Sequence, residues 1–128
     1  MFTVHWHDQE EQIESLQDVE RLLDSIHERF RASGTPTLVV VQLEYGDSLS
    51  IGLGQEMSVL DYVKADNKPP YYASRGTNSE EGEISFLFGN QASEYSLSNA
   101  VPVDAARQAL TYFCETGKLS DALSWEEV

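Results

Sequence analysis

Near its C-terminal end the chain carries an apolar stripe that has to be laid on something flat. Val103, Ala106, Leu110 and Phe113 recur at three- and four-residue spacing, flanked by Ala109 and Cys114. Asp104, Arg107, Gln108, Thr111 and Glu115 fall on the opposite side. This spacing predicts an amphipathic helix with one buried face. Pro102 suits the entry turn, where its missing N–H is not needed, and Gly117 suits a left-handed exit. Leu119, Leu123 and Trp125 then form a short apolar tail expected to fold back on the core.

A second stripe, Leu16, Val19, Leu22, Leu23, Ile26 and Phe30, predicts an earlier helix capped by Ser15 or Asp18 and stopped by Gly34 and Pro36. Between the helices the period changes to two. Thr3–His7 alternates around Val4 and Trp6 as a short first strand or extended lead-in. In Thr37–Glu44 the unbroken run Leu38–Val41 predicts a central strand buried on both faces. Tyr45-Gly46-Asp47 then turns the chain into Ser48–Leu53, and Gly54-Gln55-Glu56 turns it again into Ser58–Val63. Tyr71–Ser74 reads as a short strand between the loops Ala65–Pro70 and Arg75–Glu83. Ile84–Phe88 and Glu94–Leu97 form a last strand pair turned at Gly89-Asn90. The order predicts one α+β domain over residues 1–128: an antiparallel sheet of about five or six strands with an N-terminal and a C-terminal helix packed on one face. The other sheet face is expected to be partly open and available to a partner.

Charge narrows the classes of partner. Twenty-two acidic residues against eight basic ones give a net charge of −14 in 128 residues. The excess is spread out: residues 1–34 carry eight acids and three bases, 35–101 nine and three, 102–128 five and two. Such a surface repels nucleic acid and anionic membranes and attracts basic proteins. The same charge also serves plain solubility. The start MFTVHWHDQEEQ has neither a basic n-region nor an apolar h-region, and no apolar run is long enough for a membrane helix. With the single cysteine, Cys114, this leads to the expectation of a cytoplasmic protein.

No catalytic or metal-binding constellation emerges. Gly52-Leu53-Gly54 follows a strand, but Met57 stands where a dinucleotide fingerprint needs its third glycine. His5, His7 and His27, even joined by Asp8, lack the ligand spacing of a zinc site and read as structural or solvated. Gly46-Asp47-Ser48-Leu49-Ser50 begins like a nucleophile elbow but ends in serine on a hairpin. Cys114 lies in the apolar stripe, where a buried thiol is inert. Catalytic residues, metal ligands and cofactors are therefore all expected to be none. The tyrosines carry more information. Tyr62, Tyr71 and Tyr72 cluster around Asp61–Pro70, close in sequence to Asp61, Asp66 and the run Glu80, Glu81 and Glu83. Tyrosine supplies a rigid apolar area with a polar tip and is enriched in interfaces. The plainer reading makes them ordinary strand tyrosines packed on helices.

Several of these stretches together resemble a known family. They are Trp6, the helix ending at Phe30, Leu49-Ser50-Ile51-Gly52-Leu53-Gly54, Ser58-Val59-Leu60-Asp61-Tyr62, and Val101-Pro102 through Ala105/Ala106, Ala109-Leu110, Phe113 and Thr116-Gly117 to Trp125. They resemble the first-numbered family of immunity proteins in bacterial polymorphic toxin systems. The resemblance implies a small cytoplasmic α+β protein encoded beside a toxin and neutralising it, the toxin commonly being a nucleic acid deaminase. The matching positions are core positions, so no binding residue is carried over. From the charge and tyrosine pattern the expected toxin contacts are Asp61, Asp66, Tyr71, Tyr72, Glu80, Glu81 and Glu83, facing the basic active-site groove of a deaminase or a nuclease. Allosteric locking of the toxin stays open beside direct coverage. The alternatives are a small ligand-binding domain or enzyme using the open sheet face, and a structural subunit of a larger assembly.

Overall fold

The computed structural model describes residues 1–77 and 81–128. The chain opens with a hairpin, β1 (Phe2–Trp6) and β2 (Gln9–Ile13), and continues into helix α1 (Leu16–Ser33). Ser15 caps α1, its side chain accepting the Asp18 N–H at 3.1 Å, and Gly34 ends it at φ +70°. Strands β3 (Thr37–Leu43), β4 (Ser48–Leu53), β5 (Met57–Ser58), β6 (Leu60–Val63) and β7 (Tyr72–Arg75) follow. A second hairpin, β8 (Glu83–Phe88) and β9 (Gln91–Ser96), leads through a single 3₁₀ turn (Leu97–Asn99) to β10 (Val101–Pro102) and helix α2 (Val103–Thr116). Strand β11 (Ser124–Glu127) closes the chain.

The main sheet runs β11-β7-β6-β4-β3-β1-β2, each neighbouring pair antiparallel. The β8–β9 hairpin joins it through one parallel bridge, Thr37 to Leu87, making nine strands, while β5 and β10 pair separately. The expectation of five or six strands is thus too low, for identifiable reasons. β2 (QEEQI) is an exposed edge strand with almost no apolar alternation. β11 (SWEE) falls in what reads as an apolar tail, yet it pairs along β7 from Ser124–Arg75 to Glu127–Tyr72. The expected strand Ser58–Val63 is split at Val59, and its first part pairs with β10 instead of β4.

Strand alternation divides the core in two. Val4, Val39, Val41, Leu49, Ile51, Leu53 and Leu60 share one cluster with Val19, Leu23 and Ile26 of α1 and Ala106, Ala109, Leu110 and Phe113 of α2. Each fully buried aliphatic or aromatic side chain there contributes about 1.5–3 kcal/mol. The alternate positions face the other way, where Leu38, Val59, Ile84, Phe86 and Ala100 form a second, smaller cluster. This explains the unbroken Leu38–Val41 run, with Leu38 and Val39 buried in different clusters. Gly52 is the seat of the second cluster, because a Cβ there would overlap the Phe86 ring. The β8–β9 hairpin thereby covers one end of the sheet face turned away from the core's helices.

Candidate functional site

Beyond Phe86 the same sheet face is less covered. The register aligns His5, Val40, Ser50, Asp61, Ala73 and Glu126 in one row across six strands. Ala73 is buried, but His5, Val40, Ser50, Asp61 and Glu126 are half-buried. Tyr95, from β9, reaches over this row and donates its O–H to Asp61 Oδ2 at 2.7 Å. Burial raises the pKa of Asp61, and the bond from Tyr95 opposes that only in part. Burial, followed by the charge of Asp61, pushes the Tyr95 phenol up as well.

At the end of the row, Asn99 and Arg75 both donate to the Glu126 carboxylate, Arg75 at 2.8 Å, and these bonds lower its pKa. Asn99 also donates to the Ser74 carbonyl at 2.8 Å, and the Ser74 hydroxyl donates to the Asn99 carbonyl at 2.8 Å while accepting the Leu60 N–H at 3.0 Å. This buried network ties the 3₁₀ turn after the hairpin to β6, β7 and β11. Ser74 is fully buried, so each of its bonds is made away from bulk water.

The residues expected as contacts do not converge on one patch. Asp61 lies in the row under Tyr95, whereas Tyr72 faces the helix side. There its ring lies 6.3 Å from Tyr62, which meets Phe113 edge-on at 6.0 Å. The Tyr62 hydroxyl donates to Asp47 at 3.1 Å, and burial followed by that bond pushes its pKa up to about 12. Asp66 and Tyr71 share the loop after β6, where Asp66 accepts the Lys68 N–H at 3.0 Å and Tyr71 donates to the Asn67 carbonyl at 2.8 Å. Glu81 and Glu83 are exposed at the foot of β8. Glu80 lies outside the described residues. Sequence reasoning passed over Tyr95 and Glu94, whose only signal was the alternation of a short strand. It also passed over Glu126, hidden in an unrecognised edge strand. The Glu94 carboxyl raises the pKa of Glu83 through a side-chain hydrogen bond and its charge.

Elsewhere polar groups serve the fold. His27 Nδ1 accepts the Gly54 N–H at 2.9 Å, which fixes the tautomer with its proton on Nε2. A cleft of about 590 Å³ runs between α1 and α2, and much of its polar lining is paired internally. Arg107 meets Asp24 at 2.8 Å and Thr111 donates to Glu20 at 3.0 Å. Among the described residues no group of three or more His, Cys, Asp or Glu is placed to hold a metal ion, and no helix is long and apolar enough to cross a membrane.

The fold is α+β, with both helices in one core cluster and the hairpin that carries Glu83 and Glu94 on the sheet's other face. The family model of immunity protein Imm1 matches residues 7–127, and the chain belongs to that family. It is thus an immunity protein, a class whose partner is a toxin. No curated protein matches the chain.

Proposed function

We propose that the protein neutralises a nucleic acid deaminase toxin by covering its basic substrate groove with carboxylates and tyrosines. Membership of the Imm1 family over residues 7–127 carries this reading, because it supplies the class of partner. The net charge of −14 supports it physically. A deaminase holds single-stranded substrate in a positive channel and reads the extruded base in a snug pocket. Carboxylates of the immunity protein stand where phosphates would lie, and a tyrosine ring has the flat shape of a base. The contacts proposed are Asp66 and Tyr71 of the loop after β6, with Glu80, Glu81 and Glu83; Asp61 and Tyr72 point to opposite faces of the sheet and cannot both join them. Coverage of this kind needs no catalysis by the immunity protein, only a complementary interface. The protein works in the cytoplasm, where it protects the cell that makes the toxin.

The test is to mix the purified protein with the toxin domain encoded next to its gene and follow deamination of single-stranded DNA. Stoichiometric inhibition is expected, with association slowed by added salt. Reversing the charges at Glu80, Glu81 and Glu83 together with Tyr71→Ala should abolish it. Full deaminase activity in the presence of excess wild-type protein would refute the reading. Unchanged inhibition by the multiple variant would refute the contact set.

A further inference from the structure

Among the described residues, three strands end the main sheet: β2, β11 and β9. The first two carry paired acids, Glu10 with Glu11 and Glu126 with Glu127, which discourage an incoming strand. β9 (QASEYS) carries one, Glu94. Its hairpin is joined by the two-residue turn Gly89-Asn90, so Phe88 and Gln91 form a hydrogen-bonded pair and bonding alternates from there. The peptide groups of Ser85 and Leu87 on β8, and of Ala92, Glu94 and Ser96 on β9, therefore point out of the hairpin.

The β8 side is occupied. The Leu87 N–H donates to the Pro36 carbonyl at 2.8 Å, the Leu87 carbonyl accepts from Thr37 Oγ1 at 3.0 Å, and the Ser85 carbonyl accepts from Gln55 at 3.2 Å. On the β9 side the outward peptide groups of Ala92 and Glu94 bond to no described residue, while the Ser96 carbonyl opens the 3₁₀ turn. Ala92, Glu94 and Ser96 are all exposed. Among the described residues, one hairpin thus has a finished edge and an unfinished one.

Charge specifies what would finish it. The helices hold six acids and four bases, with Arg21, Arg31 and Arg107 ion-paired to Asp18, Glu28 and Asp24. The strands hold seven acids and one base, Arg75, which is bonded to Glu126. No lysine or arginine occurs anywhere from Gly76 to Ala106. Glu83 and Glu94 lie on the hairpin's outer side, turned away from Ile84, Phe86 and Tyr95, and are diagonal neighbours on adjacent strands. Two like charges held so close favour an incoming cation.

We infer that β9 is a docking edge, along which a basic extended segment of the toxin adds as a further strand with its positive side chains against Glu83 and Glu94. Main-chain pairing supplies the register, and the carboxylates select a cationic segment. This rests on the toxin-neutralising reading, and it moves the centre of the contact from the tyrosine loop to the second hairpin.

The deciding experiment measures affinity for the toxin domain encoded next to the gene, using the full chain and four substitutions. Ala92→Pro removes an outward N–H without touching the β8–β9 bonds, and Glu94→Lys reverses the charge at an exposed position. Gln108→Lys and Glu115→Lys on α2 are the controls for charge alone. Circular dichroism confirms that each variant is folded. The inference expects Ala92→Pro and Glu94→Lys each to weaken binding by about tenfold or more, and the α2 variants by far less. Unchanged binding by Ala92→Pro overturns strand addition, whatever Glu94→Lys does. Equal losses from α2 and β9 variants overturn the assignment to this edge. In both cases the toxin-neutralising reading survives. Failure of the wild-type chain to bind the toxin overturns that reading, and this inference with it.

Discussion

Removing the Tyr95 hydroxyl tests whether Asp61 is a buried anion held by one bond. The bond is 2.7 Å long, the carboxyl is half-buried, and burial raises its pKa. A raised pKa means that the folded chain binds the proton more tightly than the unfolded one. Ionised Asp61 therefore opposes folding at neutral pH, and the opposition fades as the pH falls through the raised folded value. The Tyr95 bond offsets part of that cost. A hydrogen bond to a charged acceptor contributes about 1.5–3 kcal/mol, and one to a neutral acceptor about 0.5–1.5. Tyr95→Phe should therefore destabilise the protein by about 2 kcal/mol at pH 7. Acidification gives a poor neutral reference, because the pI of about 4.3 invites precipitation at the pH needed. Asp61→Asn supplies that reference at pH 7, keeping an oxygen for Tyr95. In the Asp61→Asn background Tyr95→Phe should cost only about 1 kcal/mol, and Asp61→Asn alone should stabilise. Urea unfolding of the four proteins closes the cycle. Equal costs of Tyr95→Phe in both backgrounds, or destabilisation by Asp61→Asn, would refute the reasoning.

Ser74→Ala leaves the Leu60 N–H and the Asn99 carbonyl without the Ser74 hydroxyl and should cost about 2–3 kcal/mol in chemical denaturation; a loss under about 0.5 would mean that water replaces the hydroxyl. Gly52→Ala drives a methyl into the Phe86 ring and should cost about 1–3 kcal/mol, with part recovered in Gly52→Ala/Phe86→Leu. A double variant no better than the single one would place the clash elsewhere. Burial, then the charges of Glu20 and Glu115, push the Cys114 thiol up to about 12. Its alkylation by iodoacetamide at pH 8 should be slow until urea unfolds the chain, and equal rates in the folded and unfolded states would contradict this.

Strongly periodic segments were legible in the sequence. Both helices, the β3–β4 hairpin and the Gly89-Asn90 turn stand where their spacing puts them, because each buries a regular set of apolar residues. What escaped is pairing that leaves little apolar trace. β2 is nearly all polar, β11 contributes one half-buried tryptophan, and β5 and β10 have two residues each. The family was legible in its core positions, for the same reason that the core was. The site was not. Proximity in sequence grouped Asp61 with Tyr72, although register sends them to opposite faces, and it separated Asp61 from Tyr95, 34 residues away. No local pattern reveals a contact made across a sheet face.

The division of labour in the core bears on where a partner can act. The large cluster draws its buried residues from α1, α2, β1, β3, β4, β6 and β10 and takes none from β8 or β9. The hairpin is held instead by Phe86 on Gly52, by the Tyr95–Asp61 bond and by the Asn99–Ser74 network below it. Its inner side is therefore constrained and its outer side is not. Glu83, Ser85, Glu94 and the free edge of β9 can change while the main core stays intact. Like charges placed together and an unprotected strand edge both run against stability and solubility. Local features that contradict the rest of a fold are expected where a protein meets its partner. Here two of them coincide on the element that the main core does without. For an immunity protein, whose partner is a toxin, such an element can change without refolding the domain.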